Sequence, residues 1–564
     1  MGLTTCKKPA AKHNKKAAAA KSSSALVNNP LPPHTSMSPF PPDSTRSEHD
    51  TTGERTAVRA VIFIGASEVS MMVAEADLGS LRVLDVLTCP IELAHDIFRG
   101  GVVSRDTMDR CVHIVSNYNE LLNEYRLGGS VQVRLLASNV LLDVRNVDTI
   151  VNRLQITCGL NLEIMDDGEM TRLLYLNMKS MLERHSGLSR KRVMVLHVGP
   201  GNTRVLFFDR GRITYYASYR MGAYRTVEAI GDTAFGGADH ECAVIREHIR
   251  GVIEQIRHDA EEAMQGSPDA MMIFGPDFHH ISTPMFEGDE ISTETLADLV
   301  DEIARTPYSQ RQGQYKEDYA SVGALLSSAV TYLSLAREFT PDTLYYPQEE
   351  FSHSFLRNLM PSRKDDFALE QEVLHFATLL AKRFRVDPGH SRQVRKLSTA
   401  LFDQLQELHG LSRHDRLLLK VSAILHEIGT FINQKNHHLH GQYIILNSEI
   451  FGLSRQDINI VGLMARYHRH GAPSAADPTY AKLDQPNRLR LQKLAAILRV
   501  ADAMERAHSG RINQFSVHYN NRRLELIIPS AHDLTVENIA MRTKADLFTD
   551  IFGYDIQLMP AQQD

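Results

Sequence analysis

The sequence predicts an α/β module of two similar subdomains facing a cleft, followed by an all-helical domain and a small α+β end. Three observations carry this. A strand, a glycine turn and a second strand occur twice, at AVRAVIFIGASEVSMMVAEAD and at RVMVLHVGPGNTRVLFFDRGRITYYASYRMG. From Asp365 the apolar residues recur at three and four, the spacing of helices with one buried face. After Arg511 the pattern becomes a hairpin, a helix and a strand. At 564 residues the chain exceeds a single core, and a prior of about 150 residues per domain gives three or four domains. The boundaries read as a disordered tail over 1–56, subdomains over 57–190 and 191–360, a helical domain over 361–510 and the α+β end over 511–564.

The tail is a Lys/Ala block followed by Ser- and Pro-rich sequence. It has too few apolar anchors to offset the entropy of ordering. The chain as a whole is of ordinary globular composition, 43% hydrophobic and 23% charged, with a formal net charge of -6. Such a balance gives no reason to expect specific nucleic-acid binding or an anionic membrane as partner. No apolar run reaches the roughly 18 residues that span a bilayer. Five cysteines (Cys6, Cys89, Cys111, Cys158, Cys242) show no CxxC spacing, so the expectation is a reduced, cytoplasmic protein.

In chain order, Gly65 sits between two β-branched runs, where a tight turn favours a residue that takes φ > 0 at little cost. Leu81–Thr88 reads as a third strand, Ser104–Glu124 as an amphipathic helix and SVQVRLLAS as another strand. VDTIVNRLQITCGL then reads as a helix, and LEIMDDGEMTRLLYLNMKSML as a strand, an acidic turn and a helix. The second hairpin turns at Gly199 and Gly201. Glycine turns let backbone N–H groups approach an anion closely, so Gly65, Gly199 and Gly201 are candidate phosphate-binding positions. DAMMIFGP supplies a later strand, and His279 and His280 beyond it read as loop residues.

The helical half carries the densest set of possible metal ligands. His390 lies near the start of one helix, the adjacent His426 and Glu427 at the end of another, and Asp502 within a third. Imidazoles and carboxylates from separate helices can converge on one divalent ion of the Mg, Mn, Fe or Zn kind. Between them lie His437, His438, His440, His468 and His470, and Gly410 and Gly429 stand where helix C-caps belong. The last segment reads as a hairpin turning at Asn520 and Asn521, a helix over Val536–Phe552 and a final strand YDIQLMP.

The order of these elements, above all SNVLLDVRNVDTIVNRLQITCGLNLEIMDDGEMTRLLYLNM followed by VLHVGPGNTRVLFF, resembles the exopolyphosphatase and guanosine pentaphosphatase family. That resemblance implies an actin-like, ribonuclease H-like pair of subdomains, a divalent metal, a substrate such as polyphosphate or a guanosine polyphosphate, and a homodimer. It adds Thr203 to the phosphate-binding positions. The reactive positions depart from the family. An aspartate before the first turn is matched by Phe63, and the second glutamate of an acidic pair, the family's general base, by Met170. Only Glu169 of that pair remains, so it is the candidate catalytic acid or base of the cleft. An aspartate is matched by His197, a serine by Asn202 and a glutamate by Arg204. Methionine cannot accept a proton and phenylalanine cannot ligate a metal, so the ordinary mechanism loses its parts.

LHEIG, NHHLHGQYIILNSEIFGLS, ARYHRHGAP and LAAILRVADAMERAH are similar to the helical domain of the same family. The His390, His426–Glu427, Asp502 order also resembles the HD phosphohydrolase superfamily, with glutamate where that motif has aspartate. What this implies is a metal held by His390, His426, Glu427 and Asp502. His437, His440, His468 and Arg469 would then add ligands or phosphate contacts, Arg469 as a candidate catalytic side chain. Two functional readings follow: a phosphoanhydride hydrolase whose chemistry has moved to the helical site, and a non-catalytic protein that binds polyphosphate or an alarmone.

Overall fold

The computed structural model describes residues 57–561 except 78–79, 127–130, 185–186, 232–237, 264–265, 276–288, 316–318, 347–350, 361–362, 470 and 530–532. The tail over 1–56, His279, His280 and His470 lie outside the described residues. Among the described residues no helix is long and apolar enough to cross a membrane.

The two hairpins found in the sequence each open a sheet. The first sheet contains β1 (Ala57–Ile64), β2 (Glu68–Asp77), β3 (Ser80–Pro90), β4 (Gln132–Ala137) and β5 (Leu162–Ile164), in the order β3-β2-β1-β4-β5. The second contains β6 (Arg192–Val198), β7 (Thr203–Asp209), β8 (Arg212–Tyr219), β9 (Ala270–Phe274), β10 (Glu290–Ile291) and β11 (Thr343–Tyr345), in the order β10-β11-β9-β6-β7-β8. In both, an antiparallel meander is extended on its first strand by parallel strands: β1 runs parallel to β4, and β6 to β9. The repeated topology is the duplicated ribonuclease H-like arrangement that the resemblance implies.

β6 reads VMVLHV and is buried almost throughout because both faces of its sheet are covered. Met194, Leu196, Val205, Phe207, Met271 and Ile273 face a core shared with Ile62 and Ile64 of the first sheet. On the other face, Val193, Val195, Leu206, Phe208, Ala270 and Met272 meet Leu174, Met178 and Leu182 of α1 (Asp167–Arg184). That second core continues to Leu369, Val373 and Ala377 of α3 (Arg363–Arg383), whereas Phe355 and Leu356 of α2 (Phe351–Asn358) pack in a separate small cluster.

The helical half comprises α3, α4 (Pro388–Gln404), α5 (Arg413–Leu425), α6 (His437–Leu446), α7 (Arg455–Tyr467) and α8 (Gln485–Met504). Its starts are set by local chemistry. Asp387 caps α4 ahead of Pro388, and Ser412 with Asp415 and Ser454 with Asp457 form reciprocal capping boxes on α5 and α7. Gly410 is the left-handed C-cap foreseen for it, with φ 60°. Gly429 is not a C-cap: it lies in the short 3-10 turn Ile428–Phe431, and a Cβ there would come 1.9 Å from the His437 carbonyl oxygen. Close backbone contact, not a left-handed turn, demands glycine at this position.

The C-terminal segment forms β12 (Ser516–Asn520), β13 (Arg523–Ile528) and β14 (Asp555–Pro560), with Asn521 at φ 52° in the hairpin turn. The single helix foreseen over Val536–Phe552 is two, α9 (Thr535–Lys544) and α10 (Asp546–Phe552), broken at Ala545. The break lets Lys544 reach Asp502 from the end of one helix while Asp546 reaches Arg499 from the start of the next.

The α/β and helical halves meet at the acidic turn. The Arg455 amide donates to Asp166 Oδ2 at 2.6 Å, and a Cβ on Gly168 would lie 2.1 Å from the Leu453 carbonyl oxygen. Gly168→Ala is therefore expected to destabilise the protein by about 1–3 kcal/mol through overpacking, although alanine is the better helix former. Thermal unfolding followed by circular dichroism checks this; an unchanged or higher midpoint would show that the junction relaxes freely.

Candidate functional site

The helix ends of the helical half deliver four histidines to one place. His390 is the third residue of α4, and its amide and that of Gly389 are held by Asp387 Oδ1. His426 and His468 are the C-cap residues of α5 and α7, where backbone carbonyls lack helical partners. Each turns Nδ1–H onto such a carbonyl: His426 onto Ala423 at 2.9 Å and His468 onto Ala465 at 2.6 Å. His437, at the start of α6, does the same to Gln434 at 2.9 Å.

A carbonyl only accepts, so in these three rings Nδ1 carries the proton and a neutral ring has a bare Nε2. Two of the bare nitrogens face each other, His437 Nε2 and His468 Nε2 at 3.3 Å, and the bare His426 Nε2 lies 3.2 Å from His390 Nε2. His390 Nε2 is also 3.6 Å from Asp502 Oδ1, and the His426 and His468 rings lie 5.1 Å apart between centroids. All five residues are buried. Burial holds the His426 imidazole below its ordinary pKa, and burial with the His426 neighbour holds His468 well below it. At His390 burial acts the same way, but Asp502, Glu427 and Glu505 outweigh it and the pKa is raised.

Two imidazole nitrogens bound to one ion at about 2.0–2.1 Å stand about 3.0–3.4 Å apart, so the donor set suits a transition-metal ion. Ligating histidines typically give their other N–H to a carbonyl, as here. His390, His426 and Asp502 offer ligand atoms within 4.8 Å of one another; Glu427 is grouped within the same distance with His390 and His508, not with Asp502. His440, part-exposed on α6, belongs to neither group. Two residues of the site carried no recognisable sequence signal. His508 stacks on His390 with ring centroids 3.9 Å apart, and Lys544 sets its ammonium on Asp502, holding that carboxylate well below its usual range against the effect of burial. Arg499, fully buried, donates to the Tyr467 carbonyl at 2.6 Å and to Asp546 at 2.7 Å, which fixes the end of α7 that presents His468.

The cleft between the two sheets, about 230 Å³, is lined by residues of both subdomains. Ion pairs cross it. Arg204, itself buried, pairs with Asp167, which also accepts from Asn139 Nδ2 at 3.1 Å, and Arg225 reaches Asp143 at 3.2 Å. Gly65 does not have the positive φ foreseen for it; its N–H donates to the Glu68 carbonyl at 2.8 Å and a Cβ would lie 3.0 Å from that oxygen. Gly199 N–H is likewise committed to Asn202, and the Thr203 hydroxyl, fully buried, to Met221. Gly201 lines the cleft, with its carbonyl oxygen bound by Arg225 Nε at 3.0 Å.

Comparison with known proteins places this geometry. A model of the Ppx/GppA phosphatase family matches residues 72–345, and a model of Ppx/GppA phosphatase, domain III, matches residues 375–546. This chain belongs to the Ppx/GppA phosphatase family. It is similar to the guanosine-5'-triphosphate,3'-diphosphate pyrophosphatase of Photobacterium profundum, 22% identical over 511 residues that cover 87% of this chain and 96% of that protein. Among solved structures it is similar to the Aquifex aeolicus Ppx/GppA family member, with 15% identity, TM-score 0.42 and coverage of 56% of this chain and 99% of that one. An exopolyphosphatase from Cytophaga hutchinsonii gives 10% identity, TM-score 0.44 and coverage of 54% and 97%.

Two of the positions where the family resemblance expects acids, Phe63 and Met170, are apolar for a shared reason. Met170 belongs to a cluster with Met165, Leu173 and Phe355, and Phe63 packs against it, edge to face with Phe355 at 4.9 Å. Glu169 is exposed and does not line the cleft: its carboxylate accepts from the Asp166 amide at 3.1 Å while its own amide donates back to Asp166 Oδ1 at 3.0 Å. This reciprocal pair is a helix cap for α1.

His197 is buried beside Arg204, and burial first, then that guanidinium, lowers its pKa to about 3. The unfolded chain binds this proton near pH 6.5 and the folded chain only near pH 3, so stability falls as pH drops below about 6.5, by up to about 1.4 kcal/mol per unit. Denaturant unfolding of wild type and His197→Leu between about pH 7.5 and 5 is expected to show wild type losing stability relative to the variant; parallel profiles would exclude a buried neutral His197.

Proposed function

We propose that this chain is a phosphoanhydride hydrolase of the exopolyphosphatase and guanosine-pentaphosphatase type, acting in the cytoplasm, with its hydrolytic centre in the helical domain. The supporting observation is the His437–His468 pair, two bare Nε2 atoms 3.3 Å apart in a buried setting, which is unfavourable unless a cation lies between them. His390, His426 and Asp502 offer a second set, with Glu427 or His508 beside it; this is an HD-type assembly with glutamate in place of the motif's aspartate. A bound divalent ion of the Mg, Mn, Fe or Zn kind would polarise a phosphoryl oxygen and lower the pKa of a bound water.

The chain's own side chains do the rest. The carbonyl caps hold each imidazole in the tautomer that ligates, and burial keeps His426 and His468 neutral and able to ligate. Arg469, at the mouth of the site, holds phosphate oxygens, bidentately where geometry allows. Within the cleft, Arg204 stands where a metal-binding acid would otherwise act, and Met170 where a base would, so this reading gives the cleft no hydrolytic role. A second reading, a protein that binds polyphosphate or an alarmone in the cleft without turnover, draws support from the guanidinium groups of Arg204, Arg220 and Arg225 lining it.

Phosphate release from long-chain polyphosphate and from guanosine pentaphosphate, with Mg²⁺, Mn²⁺ and Fe²⁺ tested separately, decides between them. His426→Ala is expected to lower release at least about 100-fold and to reduce bound metal, whereas Glu169→Gln leaves release within about 3-fold. Loss of release on Glu169→Gln alone would return the chemistry to the cleft. Tight binding with no turnover at any metal would select the second reading.

A further inference from the structure

The histidine cluster has a cation of its own, the Lys544 ammonium. It sits on Asp502 Oδ2, while Oδ1 of the same carboxylate faces His390 Nε2 at 3.6 Å. Both Lys544 and Asp502 are buried. Where the imidazoles are neutral, Asp502 carries the negative charge among these groups, and a buried carboxylate without a counter-ion is strongly destabilising. The lysine supplies that counter-ion. A divalent ion held by His390, His426 and Asp502 would supply it too, and the two cations would then compete for one carboxylate. Its oxygens share a carbon, so an ammonium on one and a divalent ion on the other stand close enough to repel strongly in a buried setting.

The lysine also has somewhere to go. It is the last residue of α9, and the Ala545 amide that caps this helix donates to the Met541 carbonyl at 2.9 Å. The backbone is thus held, and the flexible four-carbon stem is left to turn. A pocket of about 490 Å³ adjoins the cluster, lined by Lys544 together with Asp502, His437 and His468. An ammonium is a strongly hydrated group, and this space lets its head reach water without moving the helix.

We propose that Lys544 is a resident cation that a divalent metal must displace: without metal it neutralises Asp502 and keeps the cluster assembled, and metal entry drives the ammonium off the carboxylate into the pocket. The C-terminal segment thereby sets the concentration of metal at which the helical domain is loaded. This rests on the cluster being a metal site, and not on its being the hydrolytic centre.

Amine labelling of the wild-type full chain with a succinimidyl ester, read residue by residue by mass spectrometry, tests the exchange without a substitution. Lys544 is expected to label at least about 5-fold faster with saturating Mn²⁺ or Zn²⁺ than in chelator, once its ammonium is hydrated and no longer paired. Lys493, which donates to the His409 carbonyl at 2.7 Å, is expected to keep its rate. By titration calorimetry with the same ions, Lys544→Met is expected to bind about 10-fold or more tighter than wild type, and Lys544→Arg, which keeps the charge, no tighter than wild type. In chelator Lys544→Met is expected to unfold at a lower temperature than wild type, and to gain more from added metal. Labelling of Lys544 that bound metal leaves unchanged, or equal metal affinity in wild type and Lys544→Met, would overturn the exchange and leave the metal site standing. Binding of neither ion by either protein would overturn both.

Discussion

The last turn of an α-helix leaves carbonyl oxygens without amide partners, and in this protein that shortage orients the candidate site. His426 and His468 satisfy such oxygens with Nδ1–H, which fixes ring orientation and tautomer together and aims both Nε2 atoms inward. The capping boxes that start α5 and α7 define where those helices begin, and a helix of set length then determines where each terminal imidazole lands. Arg499 holds the end of α7 from below. Ordinary helix-end chemistry is thus sufficient to place a set of imidazole lone pairs around one small buried space.

Much of the architecture was legible in the sequence because its signals are local. Alternation and glycine turns marked both hairpins, and three-four periodicity marked the helices; these depend on neighbours a few residues away. The convergence of His390, His426 and Asp502 was legible only through their order along the chain. Lys544 and His508 were not legible at all, since a lysine at a helix end and a histidine after a helix are ordinary surface residues until the fold brings Asp502 and His390 to them. Gly429 shows the same limit. The sequence reads it as a helix C-cap, whereas the structure requires glycine because the backbone of His437 lies against it.

The cleft and the cluster solve opposite electrostatic problems. In the cleft, charges of opposite sign from the two subdomains neutralise each other, Arg204 with Asp167 and Arg225 with Asp143. Phe63 and Met170 lie with the apolar cluster around Phe355 at one edge. In the helical half, one carboxylate and four imidazoles face one another with a single lysine to balance them. The first arrangement is complete as it stands; the second is balanced in charge by its lysine but long in lone pairs.

Helix α7 joins these two regions. Its first amide is bonded to Asp166 on the turn that also carries Asp167, the cleft partner of Arg204, and its last turn presents His468. Over 13 residues such a rod is about 20 Å long and stiff, and the tight backbone contact at Gly168 leaves no slack at its near end. The turn beneath the cleft and the imidazole in the cluster therefore behave as two ends of one strut: a shift of the acidic turn along the helix axis is carried to His468 unless the rod bends or the Leu453 contact gives way.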